Sequence, residues 1–597
     1  MGRITHIKKA DGSRERYTYD HVGNLLSATD GEEHTVTYRY NCRGLQASRT
    51  DAAGNTDHFR YDREGNLAES TDRNGNVLHY TYNMYGSMTS RRSQSGDINE
   101  NFGYYPDGKL KTAIGGGMRY DYRYDVMGRL SEKSASGRTL LKYGYDLNGN
   151  KISMTDVTGK RTDYRYNSLD LLEEITDNGK VQARYTYNPD GTIKRLEVGN
   201  CRVTEYEYDG DKNIISQKTV VQGIEALLDN HYRYDGNANC IEKHTLSGVN
   251  RFTYDSMNQL MKAEYPTGVE EYRYDKAGNR TTRLWNGKVS HSISQKALHM
   301  EENYHYDSGN RLIGVDIVNP ADSTCEQIHQ KYTYDAQGNM LTDGNRQYTY
   351  DAMNRLTEVK NADGSLQKNR YDGEGLRAEL EENGRLVSFI FDRNKVVQET
   401  DADQNTIRYI RGYELISSDS EKARTYYHYA SDELGSITHI VDEDGKALNR
   451  YEYDAFGNFT VKEETVANRF GFTGEIYDTL TGQYYLRARF YNPVIGRFLQ
   501  EDTYYGDGLN LYTYCHNNPV GYVDPSGNTC LKKYKEYKKE GYQKEEAYIK
   551  TRYDEIKRTQ GVEAADTYMK SQVDKLTAKG YEFSDAWKGD SDAQNVT

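Results

Sequence analysis

Aromatic and polar positions alternate along this chain in a repeating unit. An aromatic, any residue, then Tyr-Asp with a Gly or Asn close behind recurs from residue 17 to residue 459, most clearly in Tyr17-Thr18-Tyr19-Asp20-His21-Val22-Gly23-Asn24-Leu25. The first aromatic returns at Tyr38, Phe59, Tyr80, Phe102, Tyr122, Tyr143, Tyr164, Tyr185 and Tyr206, in steps of 20 to 22 residues. Later copies begin at Tyr232, Phe252, Tyr272, Tyr304, Tyr332, Tyr348 and Tyr451, where the spacing is irregular and points to insertions on loops.

The unit predicts a β-hairpin. Aromatics at i and i+2, such as Tyr122 and Tyr124, project to one face of a strand. Asp125 starts the turn, its carboxylate placed to accept the N–H two residues on, and Gly128 supplies a positive φ. Leu130 opens the return strand. A second turn closes the unit, as in Asp51-Ala52-Ala53-Gly54-Asn55 and Asp72-Arg73-Asn74-Gly75-Asn76. One hairpin cannot bury an apolar face, so successive units must pair edge to edge. So long a sheet must twist and curl, and curling into a shell also hides its edges. Tyrosine suits this geometry, since its ring packs across strands while its hydroxyl reaches water or a polar neighbour. The predicted fold is all-β, a large spiral antiparallel shell.

Composition narrows the function. Of 597 residues, 91 are acidic and 78 basic, a formal net charge of −13, so nucleic acid is not expected on the shell surface. No run of 18 apolar residues occurs, and the N-terminal residues lack the apolar stretch of a secretory signal; neither a transmembrane segment nor conventional export of this chain is expected. Cys42, Cys201, Cys240, Cys325, Cys515 and Cys530 are scattered and read as structural bystanders. The 14 histidines form no His-Glu-x-x-His motif and there is no phosphate loop, so neither a metal nor a nucleotide cofactor is expected. A carbohydrate-stacking array is disfavoured because tryptophan occurs only at Trp285 and Trp587. A calcium-binding repeat finds its nearest match at Asp209, Asp211 and Asn213, but Ile214 stands where such a loop needs glycine; these aspartates read as turn residues.

From residue 451 the text becomes more specific. It reads Tyr451-Glu-Tyr-Asp-Ala-Phe-Gly457-Asn458, Arg469-Phe-Gly-Phe-Thr-Gly474, Gly482-Gln-Tyr-Tyr-Leu-Arg487-Ala-Arg489-Phe-Tyr-Asn-Pro493, Gly496-Arg497-Phe498-Leu-Gln-Glu-Asp502, Asn510-Leu-Tyr-Thr-Tyr514, Asn517-Asn518-Pro519 and Asp524-Pro525-Ser526-Gly527-Asn528. This strongly resembles the Rhs/YD-repeat family, in particular its repeat-associated core, and the match extends over residues 17–528. The resemblance implies a β-shell over residues 1–450, closed at one end by a core over 451–528, with a variable polypeptide at 529–597 as cargo. In such proteins the cargo is often a toxin cut free by the core, used in competition between cells, with a cognate immunity protein and a secretion machinery as partners. Localisation is then secreted or delivered to a cell surface, with a cytoplasmic stage before export as the open alternative. Relatives also act as Tc-complex components or, in animals, as teneurin-type adhesion proteins.

The resemblance assigns the cut to an aspartyl protease-like site. Asp502 and Asp524 occupy its two aspartate positions, Arg489 its arginine position, and the scissile bond lies between Asn528 and Thr529. Two carboxylates brought together cannot both ionise, so one serves as acid and the other as base toward water. The family commonly has leucine where Asn528 stands and proline where Thr503 stands. The rival reading is an adhesion or wall- or carbohydrate-binding scaffold that cuts nothing.

The tail reads as a small helical domain. Ile549, Tyr553 and Ile556 follow helical spacing, as do Val562, Ala565, Met569, Val573 and Leu576. No histidine follows His516, which excludes histidine-dependent nuclease chemistry from residues 529–597.

Overall fold

The structure, a computed structural model, describes residues 3–221, 226–287, 299–319, 328–504 and 508–532. The expected helical tail lies outside these residues beyond Lys532, as does Cys325. Among the described residues a sheet of 30 strands runs from His6–Lys8 to Ile328–Lys331, and a second of 14 strands from Thr333–Tyr334 to Phe459–Glu464. Within each of these two sheets every strand pairs antiparallel with the one before it, as Met118–Tyr124 does with Leu110–Gly115 and then with Leu130–Ala135. The chain is thus a continuous meander of hairpins.

The repeat explains its own geometry. Tyr122 is buried, and a register shift between Arg123 and Tyr124 sets Tyr124 opposite Leu130. The Tyr124 hydroxyl then donates to the carbonyl of Leu110 (3.0 Å), one repeat back. Tyr145 does the same to Leu130 (2.8 Å), Tyr166 to Lys151 (3.1 Å) and Tyr208 to Ile193 (2.9 Å). These hydroxyls are therefore fixed to backbone, a more specific role than contact with water. The turn aspartate also does more than expected. Asp125 Oδ1 accepts N–H groups from Met127 (3.0 Å) and Arg129 (2.9 Å), while Gly128, at φ +78°, closes the turn onto the Asp125 carbonyl. Where asparagine stands four residues on, its side-chain amide donates to the second carboxylate oxygen: Asn24 to Asp20 (2.8 Å), Asn150 to Asp146 (2.9 Å), Asn458 to Asp454 (2.8 Å). Asp209 follows the same rule, holding the N–H groups of Asp211 and Asn213 and the Asn213 amide.

Contacts between distant repeats give the spiral its pitch. Tyr122 donates to Glu374 across 252 residues, Tyr143 to Asp392 across 249, and Lys180 to Glu443 across 263. Arg408 gathers Asp156, Asp177 and Asp419 from both turns in a buried cluster. The strip therefore returns alongside itself after 190 to 280 residues, a spiral as expected from the repeat.

The segment after residue 464 folds as a small sheet of Ile476–Asp478, Gln483–Tyr485, Phe490–Asn492 and Arg497–Phe498, then irregular loops and a final pair, Tyr522–Val523 with Leu531–Lys532. Its polar side chains seat on turns of the shell. Arg497 donates to Asn279 Oδ1 (3.0 Å) and to the Asn310 carbonyl (2.7 Å). Asn518 donates to Asn239 Oδ1 (2.9 Å), and the Tyr512 hydroxyl to the Gly338 carbonyl (2.8 Å).

Burial extends to ionisable groups. His439, in the strand Ile437–Val441, is 8% exposed, and burial pushes its imidazole down to about 4. The unfolded chain binds this proton below about pH 6.5 and the folded chain does not, so the contribution of His439 to stability is complete above pH 6.5 and lost as pH falls toward 4. In His439→Gln the deficit in unfolding free energy relative to wild type should therefore shrink by about 2 kcal/mol between pH 6.5 and 4.5, measured by urea denaturation.

Candidate active site

The three residues assigned by resemblance come from three separate segments. Arg489 leads into the strand Phe490–Asn492, whose partner Gln483–Tyr485 fixes its direction. Asp502 follows the strand Arg497–Phe498, and its own N–H donates to the Leu511 carbonyl (3.0 Å). Asp524 follows Tyr522–Val523, and because that strand pairs with Leu531–Lys532, residues 524–530 form a tight connection carrying the Asn528–Thr529 bond. All three side chains are buried, at 4%, 5% and 2% exposure.

The arginine joins the two carboxylates. Its Nη2 lies 2.6 Å from Asp502 Oδ2 and 3.8 Å from Asp524 Oδ2. Nη1 donates to the Leu511 carbonyl (2.9 Å), Nε to the Gly527 carbonyl, and the guanidinium lies 3.6 Å from the centre of the Phe498 ring. A planar cation held on so many sides is a rigid positioning element for the acids around it.

Asp524 holds the cleavage loop. Its Oδ1 accepts N–H groups from Ser526 (3.2 Å), Gly527 (2.9 Å), Asn528 (3.2 Å) and Thr529 (3.1 Å), and the Ser526 hydroxyl (3.0 Å). Thr529 N is the nitrogen of the expected scissile bond, so one carboxylate oxygen already touches the group that would leave. Asp524 Oδ2 is buried and accepts no hydrogen bond among the described residues, which leaves it directed at the arginine. Gly527 adopts φ +73°, and a Cβ there would lie 2.4 Å from the Leu486 carbonyl oxygen, so only glycine lets the loop lie against the core.

Asn528 makes a contact that leucine could not. With its amide oriented so that donor meets acceptor, its side-chain nitrogen donates to Asp502 Oδ1 (3.0 Å) and to the Gly527 carbonyl (3.1 Å). Asp502 Oδ1 also accepts the Tyr504 N–H (2.7 Å), which fixes the residue after Thr503 without a proline.

Sequence reasoning brought Arg489, Asp502, Asp524, Asn528 and Thr529 to one place, and the structure gathers all five. It passed over Ser526, whose Oγ accepts the N–H groups of both Asn528 and Thr529 (each 3.1 Å). It also passed over His516 and Cys530, which line a small cavity beside Arg489 and Asp502. Cys515, His516 and Asn517 all sit at φ between +50° and +60°, a run of left-handed residues at the site's edge. Ser526 was legible in the Asp-Pro-Ser-Gly motif; nothing in spacing marks the other two.

The Teneurin YD-shell family model matches residues 158–293 and 287–520, and the RHS Repeat model matches 19–56 and 61–98. Among curated relatives, "tRNA3(Ser)-specific nuclease WapA" of Bacillus spizizenii is 32% identical over 348 residues, 55% of this chain and 14% of that protein. "Toxin protein Tse5" of Pseudomonas aeruginosa is 26% identical over 360 residues, 50% of this chain and 26% of that protein. The matched region is thus a minor part of each of these longer proteins. Among solved structures, the Tc holotoxin pore of Photorhabdus luminescens superposes with a TM-score of 0.70 at 19% identity, covering 87% of this chain and 30% of that one, which establishes the shared shell fold. The chain belongs to the Rhs/YD-repeat family, and its body is a YD shell of the teneurin type.

Proposed function

We propose that this chain is the shell and core of a polymorphic toxin, and that its core cuts the chain between Asn528 and Thr529 to free residues 529–597 as cargo. The observation that carries the reading is the Thr529 N–H resting on Asp524 Oδ1 at 3.1 Å, with Arg489 linking that carboxylate to Asp502. Water adds to the Asn528 carbonyl carbon and gives one proton to the carboxylate pair, with Asp502 as base. Asp524 enters the step protonated on Oδ2, the oxygen that accepts no hydrogen bond among the described residues, and passes that proton to the Thr529 nitrogen as the C–N bond breaks, so the pair ends holding the one proton it took from water. The products are an Asn528 carboxyl terminus and a Thr529 amino terminus. Arg489 positions both acids and opposes the build-up of negative charge between them.

The toxin names of the relatives support cargo, a cognate immunity protein and delivery out of the producing cell. Among the described residues no helix is long and apolar enough to cross a membrane. One observation favours the scaffold reading instead: the Asn528 amide occupies Asp502 Oδ1, the oxygen a base would offer to water. Intact mass of freshly purified protein, taken under denaturing conditions, separates the two. Fragments ending at Asn528 and beginning at Thr529 are expected; a single uncut chain would leave an adhesion or wall-binding scaffold as the better account.

A further inference from the structure

The two cysteines nearest the expected cut stand on opposite sides of it. Cys515 opens the left-handed turn Cys515–Asn517 in the core, and Cys530 is the second residue of the released fragment. Spacing gave no reason to pair them, since 14 residues separate them. The fold does. Pairing of Tyr522 with Lys532 and Val523 with Leu531 brings residue 530 back against the core. There Cys530 packs on the cluster that includes Cys515, Tyr514, Phe498 and Val523, and its sulfur lies within hydrogen-bonding reach of the Cys515 sulfur. Both are present as thiols.

We propose that Cys515 and Cys530 form a reversible disulfide that ties the cut cargo to its shell until a reducing compartment is reached. The tether function rests on the proposed cleavage; the disulfide itself does not. Chemically, a small-molecule disulfide R–S–S–R exchanges with the Cys530 thiolate to give a mixed disulfide and one R–SH. The Cys515 thiolate then attacks the Cys530 sulfur, expelling a second R–SH and leaving Cys515–S–S–Cys530. Two thiols are oxidised and one external disulfide is reduced to two thiols. Access dictates that order, because Cys530 is part-exposed and borders the cavity beside Asp502, whereas Cys515 is fully buried. Burial pushes the Cys515 thiol well above its usual range, which slows the second step and equally screens the finished bond from reductant.

The consequence is a release that needs two events. Cleavage removes the peptide link, yet the fragment stays covalently bound while oxidised, as it would outside a cell. Entry into a compartment rich in low-molecular-weight thiols reverses the exchange and frees the fragment.

The test uses the full chain, incubated with oxidised glutathione, denatured in N-ethylmaleimide and digested with trypsin without reduction. No lysine or arginine lies between Arg497 and Lys532, so both cysteines fall within residues 498–532. In a cut chain the expected product is residues 498–528 joined to 529–532, two hydrogens lighter than the two thiol peptides, separating only after reduction and absent from Cys530→Ser. In the same cut sample, the Thr529 fragment should travel with the shell on a denaturing gel and leave it when dithiothreitol is added. An uncut peptide 498–532 two hydrogens light would sink the cleavage reading and keep the disulfide. Maleimide on both Cys515 and Cys530 after oxidation would overturn the proposal whether or not the chain is cut, and this wild-type readout holds even if Cys530→Ser does not fold.

Discussion

Asp524→Asn is expected to leave the chain whole, with cleavage slowed by at least about 100-fold, the lower end for loss of a positioned proton donor. The substitution is nearly isosteric. An asparagine oxygen can still accept the N–H groups of Ser526, Gly527, Asn528 and Thr529 that Oδ1 now holds, so the loop should keep its shape. What it loses is a carboxyl proton to pass to the Thr529 nitrogen, whose N–H now donates to Oδ1 at 3.1 Å. Asp502→Asn should produce a loss of similar size through the other role, since it removes the base while leaving an acceptor for Arg489. Intact mass over a time course, with thermal unfolding to show that each variant is folded, reads both. Asn528→Leu should behave differently. It removes the amide donor from Asp502 Oδ1 and leaves that oxygen to water, so cutting should persist or accelerate. The mass of the shell fragment is the decisive control. A wild-type fragment lighter by one water molecule, together with an inert Asn528→Leu, would mean that the Asn528 amide attacks its own carbonyl and that hydrolysis is the wrong chemistry.

Much of the fold was legible because the repeat encodes it locally. An aromatic pair such as Tyr122 and Tyr124, an aspartate and a glycine specify strand, turn and return strand within a single unit, without help from distant sequence. The spiral pitch was not legible. It is set by contacts such as Tyr143 with Asp392 and Arg408 with Asp177, between residues more than 200 positions apart whose spacing carries no periodic signal. The site divides along the same line. Arg489, Asp502 and Asp524 were placed by resemblance to a motif, and Ser526 stood inside that motif. The Cys515 and Cys530 contact arises only because two short strands return the chain to the core. The tyrosine hydroxyls and turn asparagines show how composition under-reads function: each side chain satisfies a specific backbone carbonyl or carboxylate, as with Tyr124 on Leu110 and Asn24 on Asp20.

The largest stability effect is expected at the junction of shell and core. Arg377, in the strand Arg377–Glu382, pairs through both terminal nitrogens with Asp478 of the strand Ile476–Asp478, and neither side chain is exposed at all. Gln367 donates to the same carboxylate (2.8 Å), and the guanidinium lies 4.4 Å from the centre of the Tyr485 ring. Arg377→Ala leaves a carboxylate buried without its cation, and such a break costs about 3–5 kcal/mol. It should appear as a lowered urea midpoint. Replacing the pair by apolar residues, Arg377→Met with Asp478→Leu, should restore most of the loss, because both desolvation penalties disappear together. The same variants bear on cleavage. Asp478 and Tyr485 belong to the small sheet whose next strand, Phe490–Asn492, begins beside Arg489. If the junction sets the arginine's position, Arg377→Ala should slow the cut at Asn528 and the double variant should recover it in parallel with stability. A destabilised Arg377→Ala that still cuts at the wild-type rate would show that the core holds its own site, with the shell serving only to enclose what it releases.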